Sequence, residues 1–86
     1  MEIDRVWDRI RRLEGAEFTT VTGLPFSYKI DRNSLITSRT ERRLAKSEFA
    51  KAVALMPLLS VSQLQNTVQR PSYVFAVLTD SRIATV

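Results

Sequence analysis

At 86 residues, with 44% apolar and 26% charged content, the chain has room for one small core and is too apolar for a disordered tail. It contains no cysteine and no histidine, which removes disulfide staples, thiolate nucleophiles and most zinc and acid–base constellations together. The net charge is +4, and no apolar run approaches the ~18 residues of a membrane span. These facts set the frame: a single domain over residues 1–86, no metal, no cofactor, no membrane, and the cytoplasm as the expected compartment, as in small bacterial or phage proteins.

Residues 2–14 read as an amphipathic helix. Ile3, Val6, Trp7, Ile10 and Leu13 recur at the spacing of one helical stripe, and Asp4, Arg5, Asp8, Arg9, Arg11 and Arg12 cover the other face. Acid precedes base along it, as the helix dipole favours, and Gly15 is placed to stop it. Residues 18–22 are β-branched and aromatic, which predicts a strand, and Gly23-Leu24-Pro25 supplies a turn. Residues 26–31 alternate, with Phe26, Tyr28 and Ile30 on one face. After a polar link at residues 31–34, a third strand opens at Leu35 and runs to Ser38, Thr40 or as far as Leu44. Three neighbouring strands with short turns predict an antiparallel meander.

The second half reads as helical. Phe49, Val53 and Met56 share a face, Ser47 is the expected N-cap, and Pro57 marks the end. Ser60 and Gln63 have capping-box spacing, predicting a helix to about Gln69 that buries Val61, Leu64 and Val68. Residues 72–78 suit a buried strand by composition; Pro71, at a first-turn position, selects a helix instead. The expected fold class is therefore α+β: an N-terminal helix, a three-stranded antiparallel meander, then two or three short helices, an order that winged-helix proteins share.

Residues 29–51 hold seven basic and three acidic groups, while the rest of the chain holds six of each. All the net charge thus lies in one window. Clustered Arg and Lys attract a polyanion, and the Arg fork suits phosphate. The candidate nucleic-acid-binding residues are Arg39, Arg42, Arg43, Lys46 and Lys51, weighed against a plain solvated strand edge kept soluble by its charges. The pair of short elements around Arg70-Pro71, with Pro-Ser-Tyr-Val opening the second, resembles the helix-turn-helix of small DNA-binding regulators over residues 63–78. Its turn holds no glycine, and Tyr73, Val74, Phe75, Val77 and Leu78 read as core rather than as base readers.

Trp7, Phe18, Phe26 and Tyr28 read as core, although aromatic sheet faces also stack unpaired bases. Asp31, Glu41, Glu48 and Asp80 form no spaced pair with a motif around it, and Gly15 and Gly23 are the only glycines, so no phosphate loop exists. Asp80-Ser81-Arg82 reads as a hydrogen-bonded turn. No catalytic residue is expected. The expected function is a small non-enzymatic nucleic-acid-binding or regulatory module, with DNA or RNA as partner. The alternative is a protein-interaction or homodimerisation module, suggested by the apolar tail from Tyr73 to Val86.

Overall fold

The computed structural model of the chain describes residues 3–39 and 43–84. The first helix, α1 (Ile3–Arg12), buries Val6, Trp7 and Ile10, the stripe its spacing predicts. Ile3 and Leu13 pack at the margin of the same core. Gly15 follows with a φ of +87°, a conformation that costs glycine nothing. Its N–H donates to the Tyr28 carbonyl at 3.0 Å, so the helix exit is pinned to a strand.

Strands β1 (Phe18–Thr19) and β2 (Pro25–Phe26) form a two-stranded ribbon of their own. The expected strand over residues 18–22 is therefore cut to two residues. The cause lies in Thr20: its hydroxyl accepts the Leu24 N–H at 3.1 Å and its carbonyl accepts the Gly23 N–H at 2.9 Å, closing a turn where a strand would run on.

The three-stranded antiparallel sheet is made by β3 (Tyr28–Asp31), β4 (Ser34–Thr37) and β5 (Arg43–Ala45), in that spatial order. A meander is present, but its members differ from those expected. The strand that opens near Leu35 stops at Thr37, and Arg43–Ala45 returns beside it as the third strand, in place of residues 18–22. The β3–β4 link turns on Arg32, which holds a φ of +57°. Tyr28, Leu35, Thr37 and Leu44 face the core. The opposite face carries Lys29, Ile36 and Arg43 in one cross-strand row.

Helix α2 (Lys46–Val53) grows straight out of β5, with Ala45 rather than Ser47 at the N-cap. No side-chain cap is needed at its first N–H, because Lys46 N–H donates to the Asn33 carbonyl at 2.7 Å. Phe49, Ala52 and Val53 are buried. The Ser60–Gln63 capping box forms, with Ser60 N–H donating to Gln63 Oε1 at 2.9 Å. It starts only one turn of 3₁₀ helix, Val61–Leu64, instead of a helix to Gln69. Leu64 and Val68 still reach the core.

Helix α3 (Pro71–Thr79) carries Pro71 at its first turn, and α4 (Ser81–Ala84) closes the described chain. Where a turn was expected at Asp80-Ser81-Arg82, Asp80 Oδ1 accepts the Arg82 N–H at 2.9 Å and starts this last helix. The outcome is α+β: an N-terminal helix, a three-stranded antiparallel sheet and short helices, all sharing one hydrophobic core.

Candidate nucleic-acid interface

Among the described residues, the β3–β4–β5 sheet turns Tyr28, Leu35, Thr37 and Leu44 to the core and Lys29, Asp31, Ile36 and Arg43 to its other face. Alternation along β3 sends Lys29 outward between Tyr28 and Ile30, and the same alternation sends Arg43 outward beside the buried Leu44. Ile36 sits between these two cations and is half-buried. At the end of the row, Ser27, Ser38 and Arg39 border an open groove of about 630 Å³ with Lys29 and Ile36. Ser38 N–H donates to the Ser27 carbonyl at 2.8 Å, and Ser27 N–H donates to Ser38 Oγ at 3.1 Å, which fixes this rim. Arg39 Nε donates to the Pro25 carbonyl at 2.8 Å, so the side chain is anchored through one nitrogen.

The five candidates from the sequence are dispersed. Arg39 and Arg43 flank the open face. Arg42 lies outside the described residues. Lys46 turns to α1, where its ammonium lies 2.8 Å from Asp4 Oδ1 and only 29% of its side chain stays exposed. Lys51 stays on α2 and pairs with Glu48 at 2.8 Å. That carboxylate also accepts the Gln69 N–H at 2.9 Å, tying α2 to the approach of α3. These contacts hold the Glu48 carboxyl below the usual carboxylate range, the Lys51 hydrogen bond foremost. Lys46 thus links α2 to α1 and Lys51 pairs within α2, whereas Arg39 and Arg43 stay exposed beside the outer sheet face.

Arg43 has a partner as well: Asp31 Oδ2 lies 2.6 Å from its Nη2, with both side chains about half exposed. Such a surface pair contributes about 0–1 kcal/mol, so a phosphate oxygen can replace the carboxylate at little cost. Lys29 makes no ion pair among the described residues. It was missing from the sequence list, although the Tyr28–Ile30 alternation already turns it outward.

Other candidate features fall to the interior. Trp7, Phe18, Phe26, Tyr28 and Phe49 are all buried. Phe18 stacks between Phe26 and Tyr28 at centroid distances of 5.9 and 5.2 Å, and Trp7 meets Phe49 at 5.5 Å. None is presented to a base. Val74, Ala76, Val77 and Leu78 of α3 are buried, so this helix is core and no element here enters a groove as a helix-turn-helix reader does. The apolar tail closes the chain's own core through Ile83, while residues 85–86 lie outside the described residues.

Arg82 also acts within the fold. It clasps Asp80 through Nε–Oδ1 at 2.9 Å and Nη2–Oδ2 at 3.0 Å, donates to the Glu17 carbonyl at 2.8 Å, and lies 4.4 Å over the Phe18 ring. The Arg82 hydrogen bonds hold the Asp80 carboxyl below its ordinary value. Burial pushes the Tyr28 phenol up, and its O–H donates to the Ile10 carbonyl at 2.6 Å.

Among the described residues, no group of three or more acids is placed to hold a metal ion, and no helix is long and apolar enough to cross a membrane. Comparison with protein-family models, with curated proteins and with solved structures finds no match.

Proposed function

We propose that the chain is a small non-enzymatic module of the cytoplasm that binds nucleic acid through its sugar–phosphate backbone. The contact surface is the open face of the β3–β4–β5 sheet. The observation that carries this reading is the cross-strand row of Lys29, Ile36 and Arg43, with Arg39 bordering the same groove, on a face that no helix covers among the described residues. Arg42 belongs to the same β4–β5 connection by sequence.

Three points support the assignment. Lys29 and Arg43 sit two strands apart in the sheet, roughly 10 Å, so more than one phosphate is met at once. Ser27 and Ser38 add hydroxyls at the rim, suited to phosphate oxygens. No exposed aromatic or recognition helix joins them among the described residues, so binding rests on charge and reads little sequence. Protein interaction through the apolar tail loses its motive, since that tail is spent on the internal core as far as Ile83.

The test is a fluorescence-anisotropy titration of labelled DNA at a series of salt concentrations. Binding at low salt should weaken linearly in log–log form. Replacing Lys29, Arg39 and Arg43 together by Gln should flatten the slope by about 0.7 per lost contact on a single strand, or about 0.9 on a duplex. A parent protein that binds no nucleic acid at low salt refutes the reading. So does a triple variant that folds and binds with the parent's slope.

A further inference from the structure

A second group of arginines lies just round the corner from the sheet face. Between the last turn of α1 and the β3–β4 hairpin runs an open cleft of about 550 Å³, bordered by Asp8, Arg11, Arg12, Glu14, Ile30, Arg32 and Asn33. Its charges are not equally available. Asp8 is taken by Arg12 at 2.9 Å, and Glu14 Oε2 accepts the Ile30 N–H at 2.6 Å. Arg11 and Arg32 make no ion pair among the described residues. Both are exposed, so two uncompensated guanidinium groups border one cleft. Arg32 stands at the hairpin tip, three residues beyond Lys29 and so roughly 10 Å along the strand direction. The tip therefore joins the open sheet face to the cleft.

We infer that the ligand is a single-stranded nucleic acid that crosses the sheet face, bends over the β3–β4 tip and lays its next phosphates against Arg32 and Arg11. The inference rests on the reading of the sheet face given above and adds a ligand class and a second contact. Its physical basis is stiffness. Lys29 and Arg43 point away from the helices, whereas Arg11 belongs to a helix on the other side of the sheet. A rigid rod cannot touch both. Duplex DNA stays straight over ~150 base pairs, so it lies on one side and misses the cleft. A single strand bends at each nucleotide and follows both surfaces. Glu14 also lines the cleft, so the strand follows the rim that Arg11 and Arg32 form.

The experiment compares the parent with Arg11→Gln/Arg32→Gln, using labelled oligodeoxythymidine and a hairpin duplex with the same number of phosphates. A control variant, Arg5→Gln/Arg70→Gln, removes the same charge from two other arginines that make no ion pair among the described residues and border neither surface. All three proteins are checked by circular dichroism and thermal melting. The Arg11/Arg32 variant should lose about 1.4 from the single-strand salt slope, at about 0.7 per contact, and keep its duplex slope. The control should keep both slopes. The inference is overturned if the parent binds the single strand and the Arg11/Arg32 variant binds it with an unchanged slope. It is also overturned if the control loses as much, or if both nucleic acids lose equally. A parent that binds neither probe removes the underlying reading instead. Should Arg11→Gln/Arg32→Gln melt early, Arg11→Lys/Arg32→Lys retains the charge and should restore the parent slope.

Discussion

Trp7 shows how much one side chain does in so short a chain. Its ring is buried against Phe49, and its Nε1 has no hydrogen-bond partner among the described residues. Trp7→Ala should cost about 3–5 kcal/mol, the transfer energy plus the cavity left behind. That approaches the whole stability of a small domain, about 5 kcal/mol. Trp7→Phe should cost less, since a ring still fills most of the space and an unsatisfied buried N–H is removed. Urea denaturation of the two variants measures both, and near-equal midpoints for Trp7→Ala and the parent would place Trp7 outside the core. Its inward position was legible from the spacing of Ile3, Val6, Trp7 and Ile10. The role of Thr20 was not, because a β-branched residue suits a strand until its hydroxyl finds the Leu24 N–H. Local competition of this kind depends on geometry that composition does not carry.

Elements here are fastened to one another by a few charged contacts. Arg82 and Asp80 secure α4, Arg9 Nη1 donates to the Ile83 carbonyl at 2.9 Å, and Glu48 links α2 to Gln69. Both carboxyl groups, Asp80 and Glu48, sit below their ordinary range. Their contribution is therefore complete above the unfolded values of about 3.9 and 4.3, and is lost as pH falls through the lower folded values. Stability measured by chemical denaturation should accordingly fall on the acid side, and Asp80→Asn should shallow that fall while lowering stability near neutrality. An Asp80→Asn profile parallel to the parent's would contradict this. The sheet edge is managed in the same manner: Glu14 accepts the Ile30 N–H and Gly15 donates to the Tyr28 carbonyl, so β3 offers little for another strand to pair with. Periodicity located α1, β3 and α2, although α2 stops at Val53, short of Pro57, while Pro71 marked α3. It misassigned the third strand because residues 18–22 and 43–45 are short, and pairing between distant segments decides which one joins the sheet.

At the scale of the molecule, the charge that sequence concentrates in residues 29–51 is divided by the fold among four places, one of them the β3–β4 tip that carries Arg32. Lys46 is drawn to Asp4, Lys51 to Glu48, and Arg39 and Arg43 remain with Lys29 on the open face. The existence of a basic region was legible in the residue order. Its shape was not, since neighbours in sequence such as Arg43 and Lys46 take different sides once β5 passes into α2. The aromatic residues follow the reverse rule: Trp7, Phe18, Phe26, Tyr28 and Phe49 are buried, and Tyr73 and Phe75 pack partly buried against the same core. On this reading nucleic acid meets the outer sheet face and the β3–β4 tip beside it, and not α3. An amide chemical-shift titration of labelled protein with a short oligonucleotide tests it residue by residue. Shifts are expected at Lys29, Ile36, Ser38, Arg39 and Arg43 that shrink as salt is raised, with Val74 and Val77 of α3 unmoved. Shifts centred instead on the exposed Leu55 and Leu59 after α2, or no shifts at low salt, would contradict it.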